Sequence, residues 1–212
     1  YDSTVHATLD MMEMHVRAVA RASSEKLLVG DMPFLSFRAG VPQTLENAGR
    51  LIRAGAHAVK VEGVAGHEDA IHALVQSGIP VMGHLGLTPQ SVHQLGGMKV
   101  QGRTPPAAAQ LIEDARKLDA LGCFSVVLEC VPSSLAREVT RKIGVPTIGI
   151  GAGVDVDGQI LVLQDLLGLS VGFKPKFLRT FAPGQAMVEE AVRSYVEATR
   201  DRTFPALAES YE

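Results

Sequence analysis

The sequence predicts an α/β fold, a (β/α)8 TIM barrel, on three observations. One phrase recurs at Gly55, Gly78, Gly122 and Gly144: a helical stretch, the glycine, one or two residues, then an apolar strand. A glycine that ends a helix and feeds a buried strand is the second half of a βαβ unit, and repetition of that unit builds a parallel sheet. No strand is followed by the glycine fingerprint of a dinucleotide-binding doubly wound sheet. Charged residues stand at the ends of several different strands, the face where barrels gather their sites. Six strands are legible and a barrel closes with eight, so about two βα units are expected upstream of Tyr1. Residues 1–212 read as one domain, N-terminally incomplete.

The elements follow in order. Thr8 caps a helix from about Leu9 to Ala20, whose apolar residues recur at helical spacing. Lys26 to Phe34 holds an apolar strand stopped by Asp31 and Pro33, and a helix from about Gln43 to Ala54 ends at Gly55. The strand Ala58-Val59-Lys60-Val61-Glu62-Gly63 is next, then a helix from about His67 to Val75 and the strand Ile79 to His84. A long glycine-rich excursion runs from Leu85 to Arg103, and loops of that length in a compact domain are usually functional. An alanine-rich helix spans about Pro106 to Leu121, followed by the strand Ser125 to Cys130 and a helix from Pro132 to Gly144. Val145 to Gly153 forms the fifth strand and its loop, Ile160 to Gln164 a sixth, and Gln185 to Thr199 the closing helix. The run Ile148-Gly149-Ile150-Gly151-Ala152-Gly153 matches no Walker loop, so a tight strand exit is preferred to a phosphate cradle.

Composition narrows the function. A formal net charge of −3 and a pI near 6.2 point away from nucleic acid and anionic membranes. Mean hydropathy is +0.16, and no apolar run approaches the ~18 residues of a spanning helix. Cys123 and Cys130 fit no metal spacing and no disulfide framework, so a reduced, cytoplasmic compartment is the default. The chain opens without an initiator methionine, directly into a helical pattern, as if mid-fold.

Lys60 and Glu62 are two residues apart on a strand, so they share a face. Singly, each charged strand end has an ordinary explanation: a solvated ion pair for Lys60 and Glu62, a turn residue for Asp31, a core histidine for His84, a helix cap for Glu129. Jointly, four strand ends would all have to be coincidences. Asp31 and Glu62 suit a partial Mg²⁺ site, because that ion takes oxygen ligands and keeps waters or substrate oxygens, such as those of a 2-oxo acid. Such a metal polarises a carbonyl and acidifies the neighbouring carbon. Lys60 would hold the substrate's negative charge, His84 would bond its carboxylate or keto oxygen, and Glu129, ending the apolar run Val126-Val127-Leu128, suits proton transfer. The composite is a metal-assisted enolate former.

Several motifs appear in order: Asp31-Met32-Pro33-Phe34, Val59-Lys60-Val61-Glu62-Gly63, Gly83-His84-Leu85-Gly86-Leu87-Thr88-Pro89-Gln90-Ser91, Val100-Gln101-Gly102-Arg103, Leu128-Glu129-Cys130-Val131-Pro132, Ile148 to Gly153 and Asp157-Gly158-Gln159. Together they resemble the ketopantoate hydroxymethyltransferase family over essentially the whole chain. The resemblance implies a barrel of the phosphoenolpyruvate/pyruvate type, one Mg²⁺ per subunit, and work in the cytoplasm in pantothenate and coenzyme A synthesis. It implies transfer of a one-carbon unit from 5,10-methylenetetrahydrofolate to 3-methyl-2-oxobutanoate through a Mg-stabilised enolate, giving 2-dehydropantoate. Carried over by motif, Asp31 and Glu62 are metal ligands, Asp31 and Lys60 contact the oxo acid, His84 lies in the substrate pocket and Glu129 is the proton acceptor. A homo-oligomer, often a decamer, is implied as well.

The chain also departs from the family pattern. The Gly-Asp-Ser turn of the family's N-terminal portion is absent, and Tyr1-Asp2-Ser3-Thr4 resembles the loop just after it. Gly63-Val64 replaces a double glycine, and the histidine near the family's C-terminus is missing from Ala206 to Tyr211. Two other readings stay open: another metal-dependent lyase or mutase of the same barrel superfamily acting on a 2-oxo acid, and an inactive truncated remnant.

Overall fold

A computed structural model describes residues 3–23 and 25–211. Tyr1 and Asp2, part of the opening loop read from the sequence, lie outside the described residues. The chain divides into two compact units, residues 1–160 and 161–212.

The first unit is a parallel sheet with helices between its strands. In chain order it contains α1 (Leu9–Ala22), β1 (Val29–Asp31), α2 (Val41–Arg53), β2 (Ala58–Glu62), α3 (Glu68–Gln76), β3 (Val81–Gly86), α4 (Val92–Leu95), α5 (Pro105–Ala120), β4 (Ser125–Glu129), α6 (Ser133–Lys142), β5 (Thr147–Ile150) and β6 (Gly158–Gln159). The six strands pair in sequence order, each parallel to the next. That order is the signature of a barrel wall; a doubly wound sheet would reverse direction at a switch point.

Local chemistry explains the element ends. Thr8 accepts a hydrogen bond from the Met11 N–H at 3.2 Å, as an N-cap should. Thr104 does the same for Ala107 at 3.4 Å, with prolines in the first turn of α5. The strands are shorter than the apolar runs that announce them, because pairing stops where the partner strand stops. The sixth strand corrects the sequence reading. It is Gly158–Gln159, and the run Ile160 to Gln164 instead enters the short helix α7 (Leu163–Leu166). The apolar residues there are partly or fully exposed, so no buried face holds them extended.

The sheet has two chemically distinct faces. Val59, Val61, Val81, Val126 and Leu128 are fully buried on one face, with Leu51 of α2, Ile71 and Leu74 of α3, Leu118 of α5 and Val139 of α6 in the same core. Gly83 lets α5 approach: a Cβ there would stand 2.5 Å from Leu118. The opposite face carries the charged residues.

In the second unit α7 is joined to α8 (Gly184–Arg200) through Leu167 and Gly168, whose carbonyls accept from the Gly184 and Gln185 N–H groups at 2.9 and 3.0 Å. Tyr195 meets Phe204 edge-on, ring centroids 5.6 Å apart. Among the described residues no helix is long and apolar enough to cross a membrane.

Candidate active site

Register brings the five expected residues to one face. Asp31 pairs with Lys60, Glu62 with His84, and His84 with Val127, two residues before Glu129. Paired residues of neighbouring strands point the same way and side chains alternate along each strand. Asp31, Lys60, Glu62, His84 and Glu129 therefore all project from the face opposite the valine core.

Lys60 is the hub of the group. Its ammonium lies 2.8 Å from Asp31 Oδ1, 3.7 Å from Glu62 Oε1 and 3.3 Å from His84 Nδ1. An ammonium only donates, so Nδ1 accepts, and the ring proton sits on Nε2. His84 Nε2 lies 3.2 Å from Glu129 Oε2, off the line of a hydrogen bond. A continuous polar path thus runs from Asp31 through Lys60 and His84 to Glu129.

Burial sharpens these interactions. The side chains of Glu62 and His84 are 4% exposed, those of Lys60 and Glu129 17%. Burial pushes the Glu62 carboxyl above its ordinary value; Lys60, His84 and the Gln90 N–H, which donates to Glu62 Oε2 at 3.0 Å, partly offset that push. The Asp31 Oδ1 atom is buried and has no hydrogen-bond partner, its contact with Lys60 being an ion pair only.

The excursion after β3 closes over these strand ends, through contacts that the sequence reading missed. The Leu87 N–H donates to the Glu129 carbonyl at 2.8 Å, and the Gln101 N–H donates to the Cys130 carbonyl at 2.9 Å. Gly86, at φ +92°, has no room for a Cβ against the Glu129 carbonyl. The Gln90 side chain donates to the Met32 carbonyl at 2.9 Å, and the Arg38 guanidinium donates to the Glu62 carbonyl at 3.0 Å. Cys130 follows Glu129 at φ +48°, a left-handed conformation uncommon outside glycine. The usable sequence signal was the proline-led turn Thr88-Pro89-Gln90-Ser91, placed just after a strand that ends beside Glu62.

Two carboxylates on adjacent strands, one with an unbonded buried oxygen, both face a single cationic point, the Lys60 ammonium. That donor set fits a hard divalent ion which keeps water or substrate oxygens in its remaining positions. Among the described residues, no group of three or more His, Cys, Asp or Glu is arranged to hold a metal alone.

Comparison with known proteins gives a consistent picture. The family model described as ketopantoate hydroxymethyltransferase matches residues 1–207. The 3-methyl-2-oxobutanoate hydroxymethyltransferase of Francisella tularensis subsp. tularensis (strain FSC 198) is 46% identical over 210 residues, 99% of this chain and 80% of that protein. Its namesake in Syntrophomonas wolfei subsp. wolfei is 52% identical over 207 residues, 97% of this chain and 75% of that protein. Among solved structures, 2,3-dimethylmalate lyase, a PEP mutase/isocitrate lyase superfamily member, superimposes with a TM-score of 0.58 at 16% identity, covering 100% of this chain and 73% of that one. That likeness concerns the fold alone: a parallel α/β wall of the barrel type.

Proposed function

The chain belongs to the ketopantoate hydroxymethyltransferase family, and from that premise we propose the full reaction. The one-carbon unit of 5,10-methylenetetrahydrofolate passes, with a water molecule that becomes its hydroxyl, to 3-methyl-2-oxobutanoate, giving 2-dehydropantoate and tetrahydrofolate. The observation that supports this reading is the convergence of Asp31, Glu62 and His84 around Lys60, with Glu129 beside His84, on one face of the sheet.

Asp31 and Glu62 would hold Mg²⁺, which when bound supplies Lewis acidity toward the oxo group. Lys60 faces the carboxylates and, with Asp31, the oxo acid, offering charge where negative charge develops. Glu129 takes the proton from C3 of the oxo acid, and that carbon forms the bond to the one-carbon unit, whose bonds to the folate nitrogens break while water supplies the hydroxyl. His84, buried and pinned by Lys60 through Nδ1, presents Nε2–H beside Glu129 and the substrate. The family resemblance supports a cytoplasmic homo-oligomer, a decamer by that resemblance, which light scattering on the purified protein tests.

The assay is formation of 2-dehydropantoate with Mg²⁺ and methylenetetrahydrofolate; absence of product from a folded, metal-loaded sample overturns the proposal. Glu129→Gln should lower kcat by roughly 10²- to 10⁴-fold, the usual contribution of a positioned base, with Mg²⁺ binding retained. Glu62→Gln should weaken Mg²⁺ binding itself. The reverse pattern would reassign the two carboxylates.

A further inference from the structure

One buried side chain at the site has no part in the chemistry above. Gln90 lies in the 3-10 turn Pro89–Ser91 and is 9% exposed. Its backbone N–H donates to Glu62 Oε2 at 3.0 Å, across 28 residues, and its side-chain amide donates to the Met32 carbonyl at 2.9 Å, across 58. Met32 directly follows Asp31, and its own N–H donates to the Lys60 carbonyl at 3.0 Å. A single glutamine therefore bridges the ends of β1 and β2, the strands that carry the two carboxylates.

The two bonds have different tasks. A carboxylate turns easily about its last torsion, whose minima are broad and two-fold. The Gln90 N–H is closer to the Glu62 carboxylate than Lys60 or His84, which stand 3.7 Å from Oε1. It holds Oε2 and leaves Oε1 facing Lys60 and His84. That hold depends on the turn staying seated, and the side-chain amide seats it on Met32.

We infer that Gln90 is a positioning residue, which sets the orientation of Glu62 and the spacing between the Asp31 and Glu62 strand ends. The inference rests on the proposed role of these carboxylates as metal ligands. Groups of this kind behind metal-binding side chains typically change metal affinity by about 10- to 100-fold when removed.

The test is Mg²⁺ titration calorimetry on the protein, well below its unfolding midpoint, with kinetics in parallel. Gln90→Leu keeps the volume and the backbone N–H but loses the side-chain donor. It should weaken Mg²⁺ binding by on the order of tenfold and raise KM for the oxo acid more than it lowers kcat. Gln90→Asn keeps an amide one methylene too short for Met32; it should show the same loss and serves if the leucine variant does not fold. In a Glu62→Gln background, Gln90→Leu should cost little further affinity, since the group it orients has already changed. A lower unfolding midpoint with unaltered Mg²⁺ affinity and KM makes Gln90 a packing residue and overturns the inference. Additive losses in the double variant overturn it too. If Glu62→Gln alone leaves Mg²⁺ binding intact, the metal-ligand reading fails first and this inference falls with it.

Discussion

His67 shows how a single residue couples the site's surroundings to pH. It is 5% exposed, its Nδ1 bonds the Ala65 carbonyl at 3.2 Å, and its ring lies 5.2 Å from that of Phe37. Burial, and next the charge of Arg38, push its pKa below the ordinary histidine value; Glu68 acts weakly the other way. The folded protein thus binds this proton less readily than the unfolded chain. Stability from His67 is complete above the unfolded value of about 6.5 and is lost as pH falls from there through the folded value. The urea midpoint should therefore drop between about pH 7.5 and about pH 5.5, and His67→Gln should flatten that slope. An unchanged slope would assign the drop to the other histidines. At this scale the charged residues of the site were legible, because alternation along a strand is arithmetic: Lys60 and Glu62 must share a face. Gln90 and Arg38 were not, because each acts on a backbone carbonyl far away in sequence, and no side-chain pattern marks a carbonyl.

Elements were legible where their cores are apolar and blurred where they end. The glycine-then-strand phrase located β2 to β5, since a buried parallel strand cannot hide its run of β-branched residues. It failed at β6, where two residues pair and the apolar run lies just beyond. The fit of α5 on β3 offers a test of packing. A methyl at Gly83 would meet Leu118 at 2.5 Å, so Gly83→Ala should cost about 1–3 kcal/mol by overpacking. Leu118→Ala should cost about 2–5 kcal/mol as a cavity. Combined, they should cost less than their sum, because the added methyl occupies part of the vacated space. Urea unfolding of the three variants decides it, and strict additivity would mean the two positions do not share that space.

For the whole molecule, barrel topology does what no single element can. A wall of parallel strands in sequence order delivers every strand's C-terminal end to one rim, so residues 31, 60, 62, 84 and 129 meet although they span most of the first unit. The proposed class of reaction, metal-assisted chemistry on an oxo acid, was suggested by those residues because it needs this mixture of charges. The way the rim is closed could not, since the excursion after β3 is held mainly through backbone groups. Its anchors are uneven. Leu87 and Gln90 are tied near one end and Gln101 at the other, whereas Met98, Lys99 and Val100 between them are exposed. Length is thus rationed within one loop. A few residues inserted between Met98 and Lys99 should leave Mg²⁺ affinity and turnover near those of the parent protein, whereas the same insertion between Leu87 and Gln90 should abolish both in protein that still folds. The same rationing makes an evolutionary expectation: an alignment of related chains should place their length differences over the middle of the excursion and not in its anchored segments.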